Sequence, residues 1–328
     1  MKKLLLFVAL FAATAASATA ASNVVGATEV VPFSWQPSPD HLCIDTDEAR
    51  EVYTRIINGD YFEVEELKNH NIVKQLDAIS EYYRNKYGDT SKINTPERQE
   101  LRKKIIKDFL AIGSAQPMAE QSRQPAEHLG GQLMKRVKYS FTGPFKKEFK
   151  LELVLGLPAV GKSTYVVNPH SDKLDAFILD CDVIKTLIPE YQESFGGAAD
   201  AVHFESFAIR DKAMKEFLEG ELKGRNIILP RVTTDFDGLM EKYIKPFEHA
   251  GYDVRAVYVD IPEKISVNRN VKRQLDSGRV FRSAVAFSFG EKPREVYERL
   301  KDMINSKGKP YGQPFEEVEE EEEIEEAA

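Results

Sequence analysis

Gly156, Gly161, Lys162 and Ser163 fall at the spacing G-x-x-x-x-G-K-[ST], the pattern of a loop that holds nucleotide phosphates. The chemistry needs these residue types. Glycines let the backbone curl until successive N–H groups point at phosphate oxygens, and the start of the following helix adds partial positive charge. On this reading Gly156, Leu157, Pro158, Ala159, Val160, Gly161, Lys162, Ser163 and Thr164 line the nucleotide. Lys162 reaches the β- and γ-phosphates, and the Ser163 hydroxyl ligates Mg²⁺. A glycine turn that matches by chance is the alternative. The apolar run Leu151, Leu153, Val154 and Leu155 just before the loop supplies the strand–loop–helix context that argues for the motif.

Phosphoryl transfer needs positioning, charge neutralisation and a base for the acceptor hydroxyl, and two further groups of residues offer these. Asp180 and Asp182 flank Cys181 at the end of a second apolar run. Asp182 is placed to accept the proton of an attacking hydroxyl, and Asp180 to hold Mg²⁺ through water. The plainer alternative for Asp182 is an N-cap of the turn 183–186. The second group is Arg269, Arg273, Arg279 and Arg282, interrupted by Ser277-Gly278. Arg269 and Arg273 are four apart and share a helix face, and the glycine is a hinge for a flap. Arginines on a lid clamp phosphates and offset charge in the transition state; a solvated basic helix is the alternative.

These residues must be carried by a framework, and the chain spells one out. Apolar strands are predicted at Leu151 to Gly156, Ala176 to Asp180, Asn226 to Pro230 and Val254 to Asp260. Helices are predicted between them, at about Ala201 to Lys223 and Asp237 to Ala250, the latter kinked at Pro246. Strands alternating with amphipathic helices imply a parallel α/β sheet with helices on both faces. Ligands in such sheets lie at the carboxyl ends of strands, which aligns Gly156, Asp180, Pro230 and Asp260 along one edge. Ahead of this lies a small helical region. A helix follows Asp45 with Glu48 as a capping box, a second covers about Phe62 to Tyr87, and a third starts at Thr95-Pro96. None of its residues is singled out for chemistry. Residues 113–144, rich in Gly and Pro, read as a connection, and a helix from Pro293 to Ile304 closes the fold.

The division expected is therefore a signal peptide over 1–20, a helical region over 21–116, a kinase-like domain over 117–310 and a disordered acidic tail over 311–328. Lys2 and Lys3, the apolar Leu4 to Ala13 and Ala18-Thr19-Ala20 form the signal. The apolar stretch is too short to span a bilayer, so export and no stable membrane span are expected. Nine of the glutamates behind the formal charge of −8 lie between Glu316 and Glu326, leaving +1 on the remainder. That near-neutral body argues against nucleic acid as a partner. The two cysteines, Cys43 and Cys181, give neither a disulfide framework nor zinc spacing.

The loop Gly156 to Thr164, the run Ile-Leu-Asp-Cys-Asp-Val-Ile-Lys at 178–185 and Ile-Pro-Glu-Tyr at 188–191 resemble the core of the zeta toxin family. The likeness covers roughly Pro117 to Met303. Members of that family are P-loop kinases that use ATP or GTP with Mg²⁺ to phosphorylate UDP-N-acetylglucosamine sugars. The resemblance implies that Lys162 binds phosphates, that Asp182 is the substrate-binding base, and that Arg269 and Arg282 are the lid arginines. It further implies substrate contacts from Glu205 and Thr233, a sugar-nucleotide acceptor, and an inhibitory antitoxin or a target cell as partner. The chain departs from the pattern at the end of the third strand. There Pro230-Arg231-Val232-Thr233 stands where an acidic or glycine-containing turn is usual, and Thr233 alone is familiar. Another acceptor (a nucleoside, a polynucleotide end or an antibiotic) or a non-catalytic nucleotide-binding protein are the alternatives. A guanine-specific switch is not, since no Asn-Lys-x-Asp occurs.

Overall fold

A computed structural model describes residues 46–114, 145–167 and 174–304. The signal segment, the Gly/Pro-rich connection, Cys43 and the acidic tail lie outside the described residues.

Four strands form one parallel sheet: β1 (Lys150–Leu155), β2 (Phe177–Ile178), β3 (Ile227–Arg231) and β4 (Asp253–Tyr258), in the order β2-β3-β1-β4. β1 is central, with Leu151 opposite Ile227 on one side and Val254 on the other. Apolar residues on both of its faces suit this position, Leu151, Leu153 and Leu155 on one and Val154 on the other, although the acid Glu152 is buried among them. One face carries Leu151, Leu153, Leu155, Ile227 and Leu229 into the larger core. The opposite face carries Val154, Ile228 and Val257 into a smaller core under the phosphate loop.

Helices surround the sheet. α1 (Thr46–Ile57), α2 (Val64–Asn69), α3 (Asn71–Tyr87) and α4 (Pro96–Ser114) precede it. Short α5 (Cys181–Lys185) and α6 (Pro189–Glu193) follow β2, and the long α7 (His203–Leu218) leads back to β3. After β3 come α8 (Phe236–Leu239), a wide π turn over Met240–Ile244 and α9 (Lys245–His249). α10 (Glu263–Ser277), α11 (Ser283–Ala286) and α12 (Lys292–Ile304) follow β4. No helix among the described residues is long and apolar enough to cross a membrane.

Several elements differ from their sequence-based expectation, each for a local reason. The helix expected over 62–87 breaks at His70, whose ring Nδ1 accepts from Ile72 N–H and starts a new helix. β2 is regular over two residues only, because Asp180 already turns away to cap α5. The helix kink expected at Pro246 appears one step earlier, as the π turn. Proline has no N–H to give and crowds the carbonyl four residues back, so the ladder widens before it. α7 stops at Leu218 rather than at Lys223; a side chain at Gly220 would run into Glu216.

The helical region is fastened to the α/β part by buried polar contacts. The Asn268 side chain on α10 satisfies both backbone groups of Phe62, accepting at 3.0 Å and donating at 2.8 Å. Ile105 and Phe109 of α4 enter the larger core beside Phe177. Asp77 on α3 accepts the backbone N–H of Ser283 at 2.6 Å.

Candidate active site

β1 delivers the phosphate loop, and the loop's shape is set by backbone constraints that its sequence meets. Gly156 has φ 147°, and a Cβ there would stand 2.9 Å from the Val259 carbonyl oxygen of the neighbouring chain segment. Gly161 has φ 87°, while Ala159 occupies the left-handed region at 57°. The loop then enters a π turn over Ser163–Val167, with Val166 and Val167 fully buried against the sheet. Lys162 folds back over the loop and donates to the carbonyls of Gly156 at 3.0 Å and Leu157 at 2.6 Å. Burial, with Arg273 nearby, pulls its ammonium down to about 8, against the pull of Asp180 and Asp182.

β2 delivers the acidic pair to the same edge. Asp180, not Asp182, is the N-cap: its Oδ1 accepts the Asp182 N–H at 2.8 Å. Asp182 is therefore released from capping and held by cations instead. Arg279 makes two hydrogen bonds of 2.6 Å to its two oxygens, Lys185 approaches to 3.4 Å, and Arg273 stands at 3.4 Å. Burial alone would raise the Asp182 pKa; Arg279, Lys185 and Arg273 together hold it well below the usual carboxylate range. The Cys181 thiol between the acids is free, and burial with both carboxylates pushes it up to about 12, so it stays protonated.

The arginines expected on a lid divide differently from that expectation. Arg269 and Arg273 lie on α10, which ends at Gly278 in a left-handed cap. The chain then passes against Gly196, whose carbonyl accepts Val280 N–H at 3.3 Å. A Cβ on Gly196 would lie 3.1 Å from Arg279 Cα, so this glycine lets the segment after α10 pass close by. Arg279 clasps Asp182 with Arg273 beside it. Arg282 is turned toward α3 and pairs with Asp200 at 2.7 Å, which Arg84 also holds. It lines a cleft there with Asp77, Glu81 and Arg84.

Two other expected substrate contacts are engaged elsewhere. Glu205 is fully buried, its oxygens taken by Arg98 and by Arg102 at 2.7 Å. It fastens α7 to α4 instead of facing a ligand. The buried Thr233 donates its hydroxyl to the Asp235 carbonyl at 3.3 Å. Arg98 and Arg102 had no local sequence signal, since their partner lies more than a hundred residues away. Asp260, expected on the functional edge, pairs with Arg294 of α12.

The donor set suits a magnesium-bound nucleotide. Asp180, Cys181 and Asp182 each place one ligand atom within 4.8 Å of the others. The carboxylates are hard oxygen donors of the kind Mg²⁺ prefers, as is the Ser163 hydroxyl; a protonated thiol is not. Asp180 and Ser163 are thus the protein groups that would hold the metal, which would supply charge neutralisation for the phosphates.

A glycine loop with a part-buried lysine, a parallel sheet and an acid pair at the end of another strand of that sheet make a nucleotide site of P-loop type. Residues 151–289 match a family model, that of an AAA domain. The match takes in the loop, the acid pair and the four arginines after β4, somewhat under half of the chain, and supports a P-loop, kinase-like domain. No curated protein and no solved structure matches the chain.

Proposed function

We propose that the protein is a small-molecule kinase of zeta-toxin type, transferring the γ-phosphate of ATP or GTP, with Mg²⁺, to a hydroxyl of a UDP-N-acetylglucosamine-like sugar nucleotide. The observation that carries this reading is that Asp180 and Asp182, delivered by β2, lie near enough to the phosphate-loop lysine for their charges to act on it. Lys162 binds the phosphates, Asp180 and Ser163 hold the metal, and Asp182 orients the acceptor hydroxyl and takes its proton. Arg273 and Arg279 are set to neutralise charge on the transferring group, with Arg269 one turn before Arg273 on α10. The metal supplies charge neutralisation and alignment of the phosphate oxygens.

Export by residues 1–20 belongs to the same reading, and with it delivery to a target cell or restraint by an antitoxin protein. The test is phosphoryl transfer from ATP to UDP-N-acetylglucosamine by the full chain, read as a mass shift of the sugar nucleotide. Lys162→Ala and Asp182→Asn each lose the shift, by roughly a hundredfold or more for a group that acts in the transition state. Transfer that persists in either variant sinks the assignment. Tight nucleotide binding without transfer to sugars, nucleosides or antibiotics favours the non-catalytic alternative, for which Pro230-Arg231 in place of an acid is the supporting observation.

A further inference from the structure

Arg231 is the last residue of β3. In the sheet β3 lies between β2, which delivers Asp180 and Asp182, and β1, which delivers the phosphate loop. Side chains alternate across a strand. Ile227 and Leu229 enter the core shared with Val183, Ile184 and Ile209, whereas Ile228 enters the core of Val160, Val166 and Val167 beneath the loop. Arg231 has the parity of Ile227 and Leu229, so it stands on the side of α5 and α7, the acceptor side. Its surroundings agree. The guanidinium lies 4.1 Å over the Tyr243 ring, and its strongest electrostatic neighbours are Arg210, Tyr243 and Cys181.

Nε and Nη1 of Arg231 are buried and have no hydrogen-bond partner among the described residues. The neighbouring cation, Arg210, is itself buried and spends its donors on Asp211 at 2.8 Å and the Tyr243 hydroxyl at 2.5 Å. Cys181 is a neutral thiol. Asp211 thus answers one charge where two are present. A buried guanidinium with unspent donors is costly, and the group that fits its fork is a planar or tetrahedral oxyanion.

We propose that Arg231, backed by Arg210, binds an anionic group of the acceptor: a carboxylate or phosphate carried close to the hydroxyl that receives the phosphoryl group. The proposal rests on the kinase reading and specifies the acceptor class within it. It also accounts for the departure at the end of the third strand, where Pro230-Arg231 stands in place of an acidic or glycine-containing turn: the negative charge is brought by the substrate. The donor γ-phosphate is the other source of such an anion, and the strand parity argues against it.

The test is equilibrium binding to the full chain loaded with Mg²⁺ and β,γ-methylene-ATP, using matched ligands. N-acetylglucosamine is compared with N-acetylglucosamine 1-phosphate, and glucose with glucuronate. In each pair the anionic member binds more tightly by about tenfold or more, the gain expected of charge-assisted hydrogen bonds. Arg231→Met removes that preference, Arg231→Lys restores part of it, and both variants keep the affinity for the ATP analogue. Equal binding of neutral and anionic members by the unaltered protein overturns the proposal without any variant. So does a preference that survives Arg231→Met, and so does a loss of analogue affinity in that variant, which assigns the guanidinium to the donor. Arg231-dependent anion binding without phosphoryl transfer would refute the kinase reading while leaving the anion site in place.

Discussion

Arg98 is the most consequential side chain that the helical region contributes. Its Nε donates to Glu205 Oε1 at 2.8 Å and its Nη2 to Glu205 Oε2, while Nη1 and Nη2 reach the two oxygens of Glu190 at 2.7 and 3.1 Å. The side chains of Arg98 and Glu205 are 9% and 1% exposed, so water does not screen the pair. Arg98→Met leaves Glu190 without this partner and Glu205 with Arg102. Losing one member of a buried ion pair costs about 3–5 kcal/mol, a large fraction of the roughly 5–15 kcal/mol that holds a typical domain together. The assay is urea denaturation of the full chain, with the midpoint displaced downward by on the order of 1 M. Glu205→Gln in the same background supplies the cycle. If the two groups stabilise each other, the double variant is less destabilised than the sum of the singles by about 1–3 kcal/mol. Burial raises the Glu205 pKa, but Arg98, Thr90 and Arg102 override it and leave it lowered. A carboxylate with a depressed folded pKa adds stability that is present above its unfolded value and lost as pH falls through the folded one. The gap between wild type and Arg98→Met is therefore full above the ordinary glutamate value of 4.5 and narrows below it. A cost under about 1 kcal/mol, the range of exposed pairs, or additive singles would refute the reasoning.

Two further outcomes follow from the charges at the loop. Lys162 titrates at about 8 in the free protein, and phosphates favour its ammonium form, so nucleotide binding takes up a proton between about pH 8 and 9 and none below about pH 7. Calorimetry in buffers of different ionisation heat measures this uptake; it must vanish in Lys162→Met. Arg279→Met removes the strongest of the cations that hold the Asp182 pKa down, so the acid limb of kcat/KM moves upward from well below pH 4. A limb that stays in place would mean that Asp182 is not the group whose ionisation the reaction needs.

What could be seen in the sequence was what neighbours along the chain decide. The phosphate loop is legible because its glycines, lysine and preceding apolar run sit within sixteen residues. The start of α4 is legible for the same reason: Thr95 Oγ1 accepts from Arg98 N–H at 3.2 Å, and Pro96 follows it. The parallel sheet follows from apolar runs bounded by turns. Partners far apart in sequence were not legible. Nothing local distinguishes Arg279 from Arg282, yet one meets Asp182 and the other Asp200. Glu205 has the type and position of a ligand group, and only the arrival of α4 turns it into a buried anchor.

The charge pattern at the strand ends gives the site a direction. Lys162, Lys185, Arg273 and Arg279 act on Asp180 and Asp182, so cations outnumber carboxylates before any ligand is added. A Mg²⁺-bound triphosphate brings the opposite charge to this place. Asp182 meanwhile is ionised but spent, since a carboxylate clasped by a guanidinium has little affinity for a hydroxyl proton. Under the proposed function the donor's phosphates offer Arg273 and Arg279 a second anion, and every bond they transfer to it returns basicity to Asp182. Proton abstraction from the acceptor is then strongest once the phosphoryl group is in position. Arg231 extends the same logic to the acceptor: its unspent donors lie on the Asp182 side of the sheet, where an anionic group would anchor the hydroxyl to be phosphorylated.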